Sequence, residues 1–397
     1  MSNKNFIARL LDGVEVEWKE LGKVAKIKRG TSITKKGITH GDVPVIAGGR
    51  TPAYFHNVSN HTGQTIVIAG SGAYAGYVSW WEQPIFVSDA FTVKTSSILL
   101  TRYCYHFLLS MQKQLHELQS GGGVPHVYPR DVAPILIPIP CPENPKKSLA
   151  IQNEIVRILD TFTELTAELT AELTAELTAR KKQYAYYRDQ LLTFEDGQVE
   201  WKALGDLCII GDGLHGTPQY DDNGEYFFIN GNNLDNGKIV FNDKTKKVDD
   251  LIFKKHGIIF TAENTVFLSI NGTIGNVSFY NNEKIVLGKS VAFFNIKSSG
   301  LYSRYLFYYL QTDFSKKYFE AQKTGSTIKN LGLKALRTFE IPLPTYDQQT
   351  RIVALLDKFD ALTNSISEGL PREIELRQKQ YEYYRNMLLT FPKAAEE

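Results

Sequence analysis

Short apolar runs dominate two stretches of this chain. Thr65-Ile66-Val67-Ile68-Ala69, Gly76-Tyr77-Val78-Ser79-Trp80-Trp81 and Pro84-Ile85-Phe86-Val87 are rich in β-branched and aromatic side chains and are bounded by Gly, Pro and Asn. That pattern predicts strands. A second set follows the same form: Gly257-Ile258-Ile259-Phe260, Thr265-Val266-Phe267-Leu268-Ser269 and Gly275-Asn276-Val277-Ser278-Phe279-Tyr280. Each set gives way to helical spacing, near 99–118 and near 303–319. The expected fold class is α+β, with two globular domains.

The period changes after each domain. Ile151, Ile155, Ile158, Leu159, Phe162 and Leu165 fall at i, i+3/i+4 spacing, as do Ile352, Leu355, Leu356, Phe359, Leu362 and Ile366. Both patterns run for some 40 residues, longer than an ordinary globular helix and pointing to a coiled coil. Ser148 and Asp347 are the expected N-caps, offering an oxygen to free backbone N–H groups. Inside the first helix, Thr-Ala-Glu-Leu occurs three times, at 166–169, 170–173 and 174–177. A four-residue step turns ~400°, so Leu165, Leu169, Leu173 and Leu177 drift by ~40° per step while each unit adds about 6 Å of helix. The run is expected to act as a spacer. In the second helix Gly369-Leu370-Pro371 removes a backbone donor and should break the helix.

These elements are written twice. Val16-Glu17-Trp18-Lys19 returns as Val199-Glu200-Trp201-Lys202, each followed by x-Leu-Gly at 20–22 and 203–205. Leu136-Ile137-Pro138-Ile139-Pro140 is answered by Glu340-Ile341-Pro342-Leu343-Pro344. The helix starts (155–160 and 352–357) and the helix ends (180–188 and 377–385) repeat at an offset of 197. The scaffold pieces match closely and the globular pieces between them barely match. One scaffold carrying two different recognition surfaces would produce this contrast. The expected boundaries are a first recognition domain at 1–147, a first helix at 148–194, a second recognition domain at 195–345, and a second helix with tail at 346–397. Antiparallel pairing of the helices, related by a pseudo-twofold axis, would set the domains apart. Six tyrosines at the helix ends (184, 186, 187, 381, 383 and 384) are too many rings for one narrow seam, so some should pack on a domain or a partner.

The overall charge of +2 hides an asymmetry. Residues 19–150 hold 14 Lys and Arg against 7 Asp and Glu, whereas residues 202–347 hold 17 against 15 and residues 151–194 hold 5 against 7. One domain is clearly basic, as a polyanion-binding surface would be. Cys104, Cys141 and Cys208 are far apart and form no CxxC pair, so neither a disulfide framework nor a zinc site is expected. No apolar run reaches membrane-spanning length and the first residues resemble no secretory signal, so the expected compartment is the cytoplasm. Gly288-Lys289-Ser290 mimics the end of a phosphate loop, but Glu283 stands where that loop needs glycine. No motif of a methyltransferase, serine hydrolase or zinc protease is present. No catalytic residue, metal site or small-molecule substrate is expected.

Taken together, the V-E-W-K-x-L-G lead-ins, the I-P-x-P exits, the I-V-x-x-L-D helix starts and the R-x-K-Q-Y-x-Y-Y-R helix ends resemble the specificity subunits of type I restriction-modification enzymes. The likeness covers essentially the whole chain, and the TAEL run resembles the type IC-like subgroup. The stretches 211–218, 47–52 and 71–76 look like segments of such recognition domains. The resemblance implies a non-catalytic DNA-binding subunit that reads an asymmetric bipartite site, one half per domain. It implies docking to two methylation subunits and to restriction subunits. S-adenosylmethionine, ATP and magnesium would then sit on those partners, leaving no cofactor on this chain.

DNA contact calls for cations toward phosphate and for Arg, Lys, Asn, Ser or Thr toward base edges. In the first domain the candidates are Lys28, Arg29, Thr31, Lys35, Lys36, Arg50, Tyr74 and Arg130. In the second they are His215, Thr217, Asn271, Lys289, Lys323, Thr327 and Lys329. The alternative function is a coiled-coil scaffold that bridges protein partners without reading DNA. It accounts for the helices and the duplication, but not for the basic first domain or the divergence between domains.

Overall fold

A computed structural model describes residue 11 and residues 13–195, 197–364 and 369–391. The chain forms two compact units. Unit 1 runs to Ala171 and takes in the chain again from Glu375; unit 2 is Glu172–Ile374.

Unit 1 contains β1 (Val16–Glu20), β2 (Ala25–Arg29), β3 (Val43–Ile46), β4 (Tyr54–His56), β5 (Thr65–Ala69), β6 (Val78–Trp81), β7 (Phe86–Val87), β8 (Ala90–Thr95) and β9 (Leu136–Pro140). Its main sheet is antiparallel, in the order β2-β8-β5-β6. Every residue of β5 is buried, which explains its unbroken apolar run. A small sheet pairs β3 antiparallel with β4 and parallel with β7. The lead-in and the exit are one ribbon, for β1 pairs with β9 and Trp18 lies opposite Pro138. Proline is tolerated there because the ribbon has only two strands and so two free edges.

Unit 2 repeats this order in β10 (Glu200–Ala203), β11 (Cys208–Asp212), β12 (Tyr226–Ile229), β13 (Leu234–Asp235), β14 (Lys238–Ile239), β15 (Lys247–Val248), β16 (Thr265–Ser269), β17 (Val277–Phe279), β18 (Ile285–Leu287), β19 (Val291–Ile296), β20 (Lys323–Thr324), β21 (Asn330–Leu331) and β22 (Glu340–Leu343). The sheets β11-β19-β16-β17, β15-β12-β18 and β10-β22 answer those of unit 1 strand for strand, and β13-β14 and β20-β21 are additional hairpins.

The repetition extends to single hydrogen bonds. Tyr103 and Tyr305, both buried, donate to the carbonyls of Pro138 and Pro342 at 3.0 Å each. Gln152 accepts from the Leu100 N–H and donates to Ile98 O; Gln349 accepts from the Tyr302 N–H and donates to Gly300 O. Each glutamine thereby locks a domain onto the start of the helix that follows it. About two helical turns further on, Asp160 accepts from Arg102 at 2.8 Å and His106 at 2.7 Å, and Asp357 accepts from Arg304 and Tyr308 at 2.5 Å each.

The first long helix is unbroken over 47 residues, Pro145–Leu191, or about 70 Å. It begins earlier than Ser148. Pro145 opens it, and Asn144 caps it by accepting from the Lys147 N–H at 3.1 Å. Ser148 is instead buried and accepts from Gln152 at 3.1 Å. The second helix is capped by Thr345, not Asp347. Thr345 Oγ1 accepts from the Gln348 N–H and Gln348 Oε1 accepts from the Thr345 N–H, a reciprocal capping box. Asp347 sits in the first turn and pairs with Arg351 at 2.9 Å. The expected interruption is present, with helices Tyr346–Asn364 and Leu370–Leu388. Gly369 has φ +80°, and a Cβ there would press on the carbonyl of Leu362. Ile366 lies outside the described residues.

Stacked rings join the helices within each unit. In unit 1 Phe162 stacks on Tyr384 with centroids 5.8 Å apart, and Thr163 hydrogen-bonds Tyr381, so the segments run antiparallel. In unit 2 Phe359 stacks on Tyr187 at 5.7 Å, the same pair at the offset of 197. Tyr184 is buried in unit 2, while Tyr186 and Tyr383 stay exposed. In the TAEL run Leu165 is exposed and Leu169, Leu173 and Leu177 are half-buried.

The core of unit 1 gathers Ile66, Ile68, Phe91 and Tyr103 from the domain, Ile155 and Leu159 from the first helix, and Leu388, Leu389 and Phe391 from the end of the chain. The core of unit 2 takes Tyr184 and Leu192 from before its domain and Val353 and Leu356 from after it.

Candidate nucleic-acid interface

In unit 1 the loops beyond β2, β3, β5 and β7 meet on one surface. They can approach because glycine stands where backbones touch. A Cβ on Gly30 would strike the Val87 carbonyl and one on Gly48 the Ser71 carbonyl. Arg29 ends β2 with its Nη2 3.3 Å from Asp89 Oδ1, and Ser71 donates its hydroxyl to the other Asp89 oxygen. Arg50 lies over the rings of Tyr74 and Tyr77, 4.8 and 5.6 Å from their centroids. Gly72 donates to the Pro125 carbonyl at 2.9 Å and Ser71 bridges to His126, which brings the Gly121–Gly123 loop to the same surface. There His126 stacks on Tyr128, and Arg130 covers the same ring at 4.8 Å. A cleft of about 380 Å³ opens beside Arg29, Ser32, Tyr54, Ser88 and Asp89.

Lys28, Lys35, Lys36 and Thr31 are exposed. The three lysines have no ion pair or side-chain hydrogen bond among the described residues. Burial, and then the charge of Lys28, hold the His61 imidazole below its ordinary value. The first domain thus presents three arginines steadied by rings or a carboxylate, and three loose lysines. That mixture suits base edges and phosphates respectively.

The backbone frame recurs in unit 2 with other side chains. A Cβ on Gly213 would strike the Leu287 carbonyl. Gly272 donates to the Lys329 carbonyl at 3.1 Å, and Asn271 bridges to Asn330. Lys289 donates its N–H to the Leu214 carbonyl, placing it beside the loop of His215 and Thr217. His215 Nε2 is 2.8 Å from Asp212 Oδ2. Thr327 is exposed, Lys329 Nζ donates to the Gly325 carbonyl, and Lys323 pairs with Glu320. Asn271, Thr327 and Lys329 therefore belong to one loop cluster, and His215, Thr217 and Lys289 to another. Gly288-Lys289-Ser290 joins β18 to β19 and opens no helix.

Four residues were not among the candidates named from the sequence, although Ser71 and Asp212 lie in stretches marked there. Asp89, Ser71 and His126 in the first domain and Asp212 in the second each position a candidate. An acidic residue inside the basic segment was the available signal for Asp89.

The thiols are buried at Cys104 and Cys208, and burial pushes the Cys208 thiol up to about 12. No helix among the described residues is long and apolar enough to cross a membrane.

Against known proteins, the sequence matches the type I restriction modification DNA specificity domain over residues 13–179 and again over 198–376. The chain belongs to the type I restriction-modification specificity family. Within it, this specificity subunit is 36% identical to the EcoR124I/EcoR124II specificity subunit of Escherichia coli, with 99% of this chain and 98% of that protein covered. It is 30% identical to a putative type I specificity subunit of Haemophilus influenzae, over 98% and 99% of the two chains. A solved structure described as underlying complex assembly and conformational transition of the type I R-M system shares the fold at a TM-score of 0.63 and 16% identity, over 95% of this chain and 98% of that one. The specificity subunit is a DNA-recognition component and not an enzyme; the scaffold alternative is not favoured.

Proposed function

We propose that each domain of this specificity subunit reads one half of an asymmetric bipartite DNA site, with the paired helices setting an unread gap. The carrying observation is a backbone frame whose sheets and several of whose hydrogen bonds recur in both domains while the side chains on it change. Two half-sites share a phosphate backbone and differ in bases, which is what one frame with two sets of side chains would suit. Lys28, Lys35 and Lys36 meet phosphate; Arg29, Arg50, Tyr74, Arg130 and Thr31 face the groove in the first half-site. His215, Thr217, Asn271, Lys289, Lys323, Thr327 and Lys329 serve the second. The functional boundaries are 1–147, 148–194, 195–345 and 346–397, and the TAEL run is the spacer.

The subunit assembles with two methylation subunits and with restriction subunits. Exposed Tyr186 and Tyr383, which meet the rings of their neighbours Tyr187 and Tyr384 edge-on, are available to those partners. S-adenosylmethionine, ATP and magnesium belong to the partners, and the assembly works in the cytoplasm. Methylating a base requires taking it from the stack, and the pocket for it lies in the methylation subunit.

The test is selection of bound duplexes from a random pool by the chain assembled with its methylation subunits. A gapped asymmetric motif is expected, and recovery of no motif would refute the proposal. Exchanging residues 19–140 for those of a relative should change one half of that motif only.

A further inference from the structure

Arg29 and Asp212 hold the same place in the two frames. Each is the last residue of the outer strand of its main sheet, opposite Phe91 in one unit and Ala292 in the other. Each precedes a glycine that leaves no room for a Cβ. The next backbone bonds also match: Thr31 donates to Val87 at 2.9 Å and Leu214 to Leu287 at 2.7 Å. Only the charge is inverted. Both half-sites present the same anionic backbone, so a shared phosphate anchor would be cationic in both domains. A position constant in backbone and opposite in charge fits a contact with base edges, which differ between half-sites.

Arg29 is also the steadied kind of cation. Asp89 holds its guanidinium, and Asp89 is itself held by the Ser71 hydroxyl. The guanidinium side chain nevertheless remains 57% exposed, so its other N–H groups are open to a ligand. A tethered arginine loses little freedom on binding and keeps its planar fork aimed. That fork matches O6 and N7 of guanine in the major groove.

We propose that Arg29 reads a guanine of the first half-site, with Asp89 and Ser71 as positioning residues, a step that rests on reading the domains as DNA-binding. The second domain has no arginine at this place. Asp212 there steadies His215, so the second half-site is read at the equivalent position by different chemistry.

The test uses the same selection, with the chain and its methylation subunits assembled as wild type, Arg29→Ala, Asp89→Asn and Lys36→Ala. The half-site that responds to exchange of residues 19–140 should contain a guanine. Arg29→Ala should lose the preference at that one base pair by roughly 5- to 150-fold and keep the others. Asp89→Asn should blur the same base pair alone. Lys36→Ala should weaken binding to every sequence alike and flatten its salt dependence. The unchanged second half-site is the internal control for folding in each variant. A first half-site without guanine overturns the proposal, as does an Arg29→Ala motif identical to wild type at lower affinity throughout. A wild-type assembly that selects no gapped motif would instead sink the broader DNA reading.

Discussion

Acid should loosen unit 1 before unit 2, because the two units fill one position differently. His106 and Tyr308 are equivalents, each bonded to the aspartate that locks its domain to the following helix. The His106 side chain is 1% exposed, and its Nδ1 is buried with no hydrogen-bond partner among the described residues. Burial holds the imidazole below its ordinary value, although the Asp160 hydrogen bond pulls the other way. The folded state therefore binds this proton less readily than the unfolded chain. The stability His106 contributes is complete above about pH 6.5 and is lost as pH falls below that value toward the folded pKa, at no more than about 1.4 kcal/mol per pH unit. Asp160 adds a later loss. Burial works against its ionised form, but the hydrogen bonds from Arg102 and His106 outweigh it and keep its carboxyl below the usual range. That contribution disappears only below about pH 4. Tyr308 has no such window. Burial, then the Asp357 hydrogen bond, push its hydroxyl up, so unit 2 loses this contribution only above about pH 10. The assay is urea unfolding followed by tryptophan fluorescence. Trp18, Trp80 and Trp81 lie in unit 1, and Trp80 stacks on Arg102 at 4.6 Å. The midpoint should fall between pH 7 and pH 5 in wild type and much less in His106→Tyr. Equal acid sensitivity in the two proteins would show that another group carries the effect.

Deleting Thr174–Leu177 removes one turn from an unbroken helix. The loss is about 6 Å of rise and ~40° of net rotation, against ~3.4 Å and roughly 35° per base pair. The preferred gap should shorten by one or two base pairs with both half-sites intact, and a changed half-site in the selected motif would refute the spacer role. Phe391→Ala removes a ring, 4% exposed and edge-on to Tyr103, from the core of unit 1. It should cost about 3–5 kcal/mol, seen as faster hydrogen exchange in unit 1 peptides and little change in those of unit 2.

The sequence made the duplication legible wherever a residue's neighbours are scaffold. Trp18 and Trp201, the Pro138 and Pro342 exits and the two helix starts all face partners that were themselves duplicated, so identity survived. β5 and β16 were legible because both are buried on both faces and read as unbroken apolar runs, whereas Gly257-Ile258-Ile259-Phe260, which reads the same way, forms no strand and leaves Ile259 exposed. Less could be read where the partner lies far along the chain. Nothing near Arg29 signals Asp89, which is 60 residues away, and no local pattern says that Tyr103 caps the Pro138 carbonyl. The N-caps were misplaced for a related reason. Ser148 has a capping side chain, but it is buried and its hydroxyl accepts from Gln152, while Pro145 fixes the helix start one residue after Asn144. Among the fifteen candidate contact residues, the glycine-rich stretches marked loops whose backbones approach closely, because such approach requires glycine. Which side chain is steadied and which is loose depends on tertiary neighbours, and only the structure brings them together.

The borrowed segment at the end of the chain has a consequence for how the protein is made. Unit 2 is continuous in sequence, and its last core residue, Leu356, leaves the ribosome well before Leu388, Leu389 and Phe391. Unit 1 begins first and finishes last. Its domain must wait through the synthesis of the whole of unit 2 for three apolar residues that close its core, so premature termination anywhere in the final helix would leave an intact second domain beside an unsealed first one.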